Sequence, residues 1–309
     1  MNEEFTIPEL TEVVARLAAL LGPREGTVVQ LEGGITNRNF RVNFGGTDYV
    51  VRLPGKRTQL LGIDREAECI ANKAAAELGI SPRVAALLEQ PSCLVTAFVS
   101  GREMKPEELR TPEAIAEVAG DLRSLHESGT ELPTGFDSFR LVEDYAKTAR
   151  EHGSEPPEGY DDALSTAHAI ERAIEGRPGH EPIPAHNDLL PGNFLRDGER
   201  MQLIDWEYAG MGDRWFDLGN FAVNNGLDDD QEAQLLEAYF GEPPTAAQRA
   251  TLKVFRFMSD FREAMWGVVQ AGVSELDFDF HEYARKHFDR LEEARSDPHF
   301  EGWIEEARR

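Results

Sequence analysis

The sequence predicts an α+β fold, in which a small antiparallel β-sheet with one helix precedes a larger and mainly helical region. Three short segments between residues 27 and 53 are rich in β-branched and aromatic residues and are bounded by glycines, which is typical of strands. From Thr111 onward the chain is predicted to form helices separated by loops that contain Gly and Pro. At 309 residues, the chain is long enough for one large domain or two modest domains.

The first hundred residues are predicted to form their elements in the order β-β-β-α-β-β. The pair Gly45-Gly46 predicts a hairpin turn between the second and third strands. A helix is predicted over 64–78, and two further strands are predicted over 83–90 and 93–98. The chain is then expected to cross into the helical region near 99–101.

The helical region begins with a favourable helix start. Thr111 is a good N-cap and Pro112 suits the first helical position, so a helix is predicted to run to about His126. Later helices are predicted near 141–150, over 160–175, and over 214–295 with breaks at Gly226, 241–244 and Gly272, whereas 183–209 is predicted as loops and strands. This layout predicts two lobes, 1–99 and 100–309, with nucleotide and substrate sites in the cleft between them.

The composition argues against several kinds of partner. Lys and Arg number 32 against 57 Asp and Glu, and the formal charge of −25 disfavours both nucleic acids and anionic membranes as partners. The N-terminal segment lacks the features of a secretory signal, and no run of about 18 apolar residues occurs, so we expect a cytoplasmic protein. The acidic surplus fits either a high-salt habitat or a GC-rich genome. Cys69 and Cys93 predict no zinc site, because no Cys/His cluster accompanies them.

The segment 184–210 contains the residue types that phosphoryl transfer requires. Such a reaction needs a carboxylate that orients and deprotonates the acceptor hydroxyl, together with oxygen ligands for Mg²⁺. We expect Asp188 to be the base and expect Asn193 and Asp205 to hold the metal. His186 is expected to brace this loop rather than to transfer protons.

Three segments, HNDLLPGNF, LIDWEYAG and FDLGN, together resemble the kinase-fold small-molecule phosphotransferases of the aminoglycoside phosphotransferase and choline kinase superfamily. The IDWEY segment is most similar to the choline/ethanolamine kinase branch, including its bacterial members. The resemblance spans nearly the whole chain. It implies a protein-kinase-like two-lobe fold, ATP and Mg²⁺ as cofactors, and transfer of the γ-phosphoryl group to the hydroxyl of a small amino alcohol, choline or ethanolamine.

The turn after the first strand resembles the phosphate-facing turn of this family. The resemblance implies that Gly33 and Gly34 allow the backbone to approach the phosphates, and that Thr36 and Asn37 donate hydrogen bonds to them. A pair of glycines is also common in an ordinary hairpin, and this alternative remains open.

The third strand offers Arg52 as the phosphate-binding cation, which the choline-kinase-like branch also uses. The resemblance implies that Glu66 on the following helix is its ion-pair partner, although both could be solvated surface charges. Phe98, at the end of the fifth strand, and Val50 are candidate neighbours of adenine, and Phe98 could equally belong to the core.

Two further acidic residues lie near the candidate base: Glu207 is within the segment 184–210, and Asp217 follows it. Asp217 matches a family Asp at a helix start, so the resemblance implies that it braces the catalytic loop; an N-cap role is the alternative. Strand alternation predicts that Glu207 lies on the same face as Asp205. There it would brace the metal site or border the acceptor pocket.

The acceptor site is predicted from two aromatic residues. Because a quaternary ammonium has no N–H group, aromatic faces and carboxylates are expected to bind it. The resemblance places Trp266 and Tyr283 at such positions, although each could simply belong to the core, and Val269 stands where the family has another aromatic. Amides follow FDLGN where a cage-forming acid would be expected, which argues against choline and leaves a primary amine such as ethanolamine, or another amino alcohol, open as the acceptor. The acids and amides Glu207, Glu263, Asn224 and Asn225 are its candidate acceptors.

Other functions remain open at this stage. The same chemistry could act on an aminoglycoside, a sugar, thiamine or homoserine, because one scaffold hosts many acceptors. A non-catalytic nucleotide-binding protein is disfavoured, since Asp188, Asn193 and Asp205 are all present. The sequence does not determine the oligomeric state.

Overall fold

The protein is described by a computed structural model, which covers residues 8–31, 37–55, 57–89, 92–198, 200–274, 276 and 278–309. The predicted α+β class is confirmed. The strands are β1 Arg24–Leu31, β2 Asn37–Phe44, β3 Thr47–Pro54, β4 Val84–Glu89, β5 Ser92–Ala97, β6 Arg102–Glu103, β7 Ile183–Ala185, β8 Phe194–Asp197, β9 Arg200–Leu203 and β10 Gly210–Gly212. The helices are α1 Pro8–Leu21, α2 Arg65–Glu77, α3 Pro106–Leu109, α4 Pro112–His126, α5 Ser138–Glu151, α6 Tyr160–Ile174, α7 Arg214–Asn224, α8 Asp229–Phe240, α9 Ala246–Val273, α10 Phe280–Arg295 and α11 Phe300–Ala307.

An antiparallel five-stranded sheet of order β1-β2-β3-β5-β4 forms the first layer. The hairpin at Gly45-Gly46 is confirmed, since Phe44 pairs with Thr47 and both glycines have positive φ. Alternate residues of β2 point into a small core, which they share with α1. Its members include Phe40, Val42 and Phe44 of β2 with Leu10, Val13 and Leu17 of α1.

Helix α1 is absent from the predicted order β-β-β-α-β-β, and this order is therefore wrong at its start. The apolar residues Leu10, Val13 and Leu17 recur three and four positions apart, which is the spacing of one helical face. This helix covers the sheet face that would otherwise expose Phe40 and Phe44.

Helix α9 is the centre of the larger core and packs against α5, α7, α10 and α11. It runs over 28 residues and ends at Val273, so the predicted break at Gly272 is confirmed to within one residue. Glycine also allows close packing there, because a Cβ on Gly272 would lie 3.1 Å from the carbonyl oxygen of His152, a tight contact. Helix α11 follows beyond the predicted helical range, and no helix among the described residues is long and apolar enough to cross a membrane.

The hairpin β8–β9 is held by helix α4. Glu117 accepts a hydrogen bond from Arg196 Nη1 at 2.8 Å and another from the Met201 backbone N–H at 2.9 Å. Asp121 lies one turn further along the same helix, where it is partly buried. Burial raises the pKa of Asp121 to about 6, and the Glu117 carboxylate raises it further while Arg200 opposes both.

Replacing Asp121 with Asn is expected to raise the melting temperature more at about pH 8 than at about pH 5. Since the folded-state pKa of Asp121 is raised, the folded protein loses stability as the pH rises through that value. Thermal unfolding at both pH values measures the difference. Asp144→Asn, on the exposed side of α5, is the matched control, and an equal gain at the two pH values would contradict the assignment.

Candidate active site

The candidate catalytic segment, residues 184–210, runs from β7 to the start of β10 and contains three predicted residues, Asp188, Asn193 and Asp205. Asn193 Nδ2 donates to the backbone oxygen of Asp188 at 2.7 Å and to its Oδ2 at 3.0 Å. The Ile204 backbone N–H donates to the backbone carbonyl oxygen of Asn193 at 2.9 Å, which holds the residue before Asp205 beside Asn193. Both side-chain hydrogen bonds of Asn193 use its Nδ2 atom, so neither occupies the side-chain oxygen Oδ1.

Two residues of this segment have a left-handed backbone, Asn187 and Asp205, each with φ 66°. Asn and Asp tolerate this conformation better than other residues with a Cβ. Asp205 lies beyond β9, which ends at Leu203, so the strand alternation predicted to relate Asp205 and Glu207 does not exist. A turn instead carries Glu207 into a buried position.

The imidazole of His186 is fully buried and both of its nitrogens are engaged. Nε2 lies 3.0 Å from the carbonyl oxygen of Ile204, and Nδ1 accepts from the Asp188 backbone N–H at 3.2 Å. Because a carbonyl oxygen can only accept, Nε2 carries the proton. Burial lowers the pKa of His186, so the ring is a neutral link between the two halves of the segment.

Asp217 holds the start of this segment from α7. Its carboxylate accepts hydrogen bonds from the backbone N–H groups of His186 at 2.9 Å and Asn187 at 2.6 Å, and it lies 3.0 Å from His126 Nε2. Burial alone would raise its pKa, but the interactions with His126 and His186 hold the pKa of Asp217 below its usual value. The N-cap of α7 is Asp213, so the alternative N-cap role of Asp217 is wrong.

Glycine at position 219 allows α7 to reach this position. A Cβ on Gly219 would lie 2.7 Å from the backbone of Phe255 in α9, which is closer than real Cβ atoms approach. The Gly of FDLGN is therefore a packing requirement that lets Asp217 reach the catalytic turn.

A cavity of about 510 Å³ lies between the sheet and the catalytic segment. Val50, Phe98 and Trp206 line it together with the charged groups of Arg52 and Asp205. The two candidate adenine neighbours thus share one cavity with the two candidate phosphate-binding and metal-binding residues. Trp206 is anchored beside it by a hydrogen bond from Nε1 to Ser81 Oγ at 3.0 Å.

Arg52 is paired with two carboxylates at the polar end of this cavity. Its Nη1 donates to Asp205 Oδ1 at 2.6 Å and to Glu68 Oε1 at 2.9 Å. Burial disfavours the charge, but these carboxylates raise the pKa of Arg52 above its usual value. The predicted partner Glu66 is wrong, because residues two apart on a helix face nearly opposite sides and Glu66 lies on the exposed side of α2.

Asn37 makes hydrogen bonds within the protein instead of leaving both amide groups for a ligand. Its Nδ2 donates to Glu207 Oε2 at 2.8 Å, and its Oδ1 accepts from Arg65 Nη2 at 3.0 Å. Burial and the nearby Asp205 charge raise the pKa of Glu207 to about 7. The other candidates of the phosphate-facing turn, Gly33, Gly34 and Thr36, lie outside the described residues.

The two predicted acceptor aromatics, Trp266 and Tyr283, lie in contact with each other. Their rings are 5.4 Å apart in an edge-to-face arrangement. Trp266 Nε1 donates to Tyr208 Oη at 2.7 Å, and Tyr283 Oη donates to Glu263 Oε2 at 2.7 Å. Gly267 allows the approach, since a Cβ there would lie 3.0 Å from the Tyr283 ring.

Arg262, which was not among the predicted residues, connects this aromatic group to the catalytic segment. Its Nη1 is hydrogen-bonded to Glu263 and lies 3.5 Å from Asp188 Oδ1. Burial raises the pKa of the Asp188 carboxyl well above its usual value, and Arg262 opposes this shift. Its spacing from Trp266, one helical turn, was a signal that could have identified it.

Two further positions singled out in the sequence, Asn225 and Val269, are buried. Asn225 donates to the backbone oxygens of Leu189 at 3.3 Å and Phe221 at 2.9 Å, so it supports the turn after Asp188. Val269 is fully buried in the core of the helical region.

The five-stranded sheet, the helical region and the segment that carries Asp188, Asn193 and Asp205 define a kinase-fold phosphotransferase that acts on small molecules. The sequence matches the phosphotransferase enzyme family over residues 27–250. A structure of a choline/ethanolamine kinase family protein from Mesorhizobium loti is 32% identical and covers 97% of this chain and 99% of its own, with a TM-score of 0.80. This chain therefore belongs to the phosphotransferase enzyme family and, within it, to the choline/ethanolamine kinase family.

Two other similar proteins are consistent with this family assignment. A probable ethanolamine kinase from Dictyostelium discoideum is 27% identical over 87% of this chain and 85% of its own length. The structure of the choline kinase LicA from Streptococcus pneumoniae, at 23% identity, shares the fold with a TM-score of 0.77 and covers 92% of this chain and 98% of its own.

Proposed function

We propose that the protein transfers the γ-phosphoryl group of ATP to the hydroxyl of a small amino alcohol, choline or ethanolamine. One observation carries this proposal: Asp188 accepts a hydrogen bond from Asn193, whose backbone oxygen is bonded by Ile204 of the cavity wall, and Asp188 also lies 3.5 Å from Arg262, the partner of Glu263. A base in this position can face a nucleotide and an acceptor at once. The names of the relatives favour choline or ethanolamine as that acceptor.

The cavity beneath the sheet is proposed as the ATP site. Its apolar end, at Val50 and Phe98, suits the adenine ring, and its polar end contains Arg52. A guanidinium binds phosphate oxygens with a permanent charge and a planar fork of donors. Gly33, Gly34 and Thr36 remain predicted as phosphate donors.

The residues present fit a magnesium ion. Asp205 supplies a carboxylate. Asn193 supplies its side-chain oxygen Oδ1, which its two Nδ2 hydrogen bonds leave open, and Mg²⁺ prefers such oxygen ligands. Around them, three carboxylates, of Glu68, Asp205 and Glu207, face two guanidinium groups, of Arg52 and Arg65. This excess of negative charge suits a cation. When bound, Mg²⁺ supplies neutralisation of the phosphate charge.

The protein contributes mainly by positioning. Asp188 accepts the proton of the acceptor hydroxyl, and Asn193 orients the Asp188 carboxylate through its Nδ2. Neutral His186 ties Asp188 to Ile204, the residue before Asp205, and Asp217 holds the start of the turn by accepting hydrogen bonds from the backbone N–H groups of His186 and Asn187. A fixed geometry of this kind lowers the barrier because the reacting groups already lie close together.

Coupled measurement of ADP release with ATP and Mg²⁺ tests the function. We expect saturable turnover with choline or ethanolamine, and none with thiamine, homoserine, a sugar or aminoglycosides. The assay is run at low and high KCl, because a chain with a net charge of −25 could require salt to fold. Turnover with an aminoglycoside alone, or silence with every acceptor at both salt concentrations, would contradict the proposal.

A further inference from the structure

Among the described residues beside the proposed active site, Arg262 is more deeply buried than Arg52 and Arg65. Its side chain is 1% exposed, and the Cζ atom lies 4.1 Å from the centroid of the Tyr208 ring. The same guanidinium contacts the carboxylates of Glu263 and Asp188. An aromatic face and two carboxylates therefore enclose a cation that belongs to the protein itself.

These partners are the ones that an ammonium ligand would use. A quaternary ammonium is bound by aromatic faces through the ring quadrupole and by nearby negative charge. The two residues predicted to bind the acceptor form the next layer around Arg262: Trp266 donates to Tyr208 Oη, and Tyr283 donates to Glu263. The guanidinium thus lies at the centre of the predicted acceptor site.

Arg262 is also poorly satisfied at this position. Among the described residues, its Nε and Nη2 atoms are buried and have no hydrogen-bond partner. A structural Arg in a protein interior is normally paired through both arms of its fork, because unpaired buried donors are unfavourable. Its neighbours therefore match its charge well and its hydrogen-bond donors poorly, as expected for a site shaped for an ammonium group.

We propose that Arg262 is a specificity-determining residue, whose guanidinium occupies the cation site of the acceptor pocket and weakens the binding of permanently charged acceptors such as choline. This inference rests on the proposed function, since it concerns the same pocket. Removing the charge would leave Glu263 and the Tyr208 ring free to bind the ammonium group of the acceptor.

The experiment compares choline with 3,3-dimethylbutan-1-ol, the neutral alcohol in which a carbon atom replaces the choline nitrogen. The value of kcat/KM for each acceptor is measured in the wild type, in Arg262→Met and in the charge-preserving control Arg262→Lys. We expect the ratio of the two kcat/KM values to shift toward choline by about tenfold or more in Arg262→Met, through a lower KM for choline. The Lys variant should keep a ratio close to that of the wild type.

The ratio separates this role from a simple effect on the base. If Arg262 only positions Asp188, both acceptors lose activity equally, the ratio stays constant and the proposal is overturned. A choline KM that rises in Arg262→Met would overturn it as well. Should Arg262→Met fail to fold, Arg262→Gln, which keeps N–H donors without the charge, replaces it.

A failure of the proposed function is distinguished by the wild type. If the wild type phosphorylates neither choline nor ethanolamine, the proposed function fails first, and the inference is then tested by calorimetric titration with tetramethylammonium. Tighter binding to Arg262→Met than to the wild type supports a cation site occupied by Arg262. Equal or weaker binding overturns it.

Discussion

Replacing Asp188 with Asn is expected to lower kcat by about two to four orders of magnitude while the affinity for ATP stays close to that of the wild type. An amide has nearly the same shape as a carboxylate, but it cannot accept the proton of the acceptor hydroxyl. The hydrogen bond from Asn193 Nδ2 can still be accepted by the amide oxygen, so the turn should keep its geometry. Steady-state kinetics and calorimetric titration with ATP measure the two quantities.

The matched control is Asp197→Asn, which makes the same chemical change at an exposed position at the end of β8. It should keep the kcat of the wild type. If Asp188→Asn retains full turnover, Asp188 is not the base, and the non-catalytic alternative regains support.

The arrangement of the proposed catalytic residues could be predicted from sequence because most of their contacts are local. Asp188 and Asn193 are joined within one turn, and the His186 ring contacts the backbone of Asp188, two residues away. Spacing along the chain therefore specifies this geometry almost completely. The sheet was predictable for the same reason, since glycine pairs and alternation specify hairpins locally.

Residues on separate elements were predicted less well. The partner of Arg52 depends on which face of α2 meets β3, and sequence spacing alone led to Glu66 instead of Glu68. Glu207 is positioned by a turn after Asp205 that strand alternation does not describe. Arg262 comes from a helix distant in sequence, and only the packing of α9 against the catalytic turn brings it to Asp188.

The two hydrophobic cores do not divide the chain at the predicted lobe boundary between residues 99 and 100. Leu61, Ile63, Ala71 and Ile80 belong to the first hundred residues, yet they are part of the large helical core. Helix α2 is therefore packed against both parts. This packing carries Glu68 and Arg65 to the cavity and places the sequence-distant carboxylates of Glu68 and Asp205 on one guanidinium.

Replacing Asp205 with Asn is expected to lower kcat by about a hundredfold or more and to raise the half-saturating Mg²⁺ concentration by about tenfold or more. Asp205 is the charged member of the proposed metal site, and an amide binds Mg²⁺ more weakly than a carboxylate. Activity titrated against Mg²⁺ at saturating ATP measures both changes.

Loss of Asp205 also releases Arg52, so the effect on the metal must be separated from the effect on the arginine. Glu68→Gln provides this control, because Glu68 binds the same Nη1 atom of Arg52 at 2.9 Å. If Asp205 binds the metal, Glu68→Gln weakens ATP binding through Arg52 and leaves the Mg²⁺ titration close to that of the wild type. Equal displacement of the Mg²⁺ titration by both variants would mean that Asp205 acts by orienting Arg52, and the metal assignment would then be wrong.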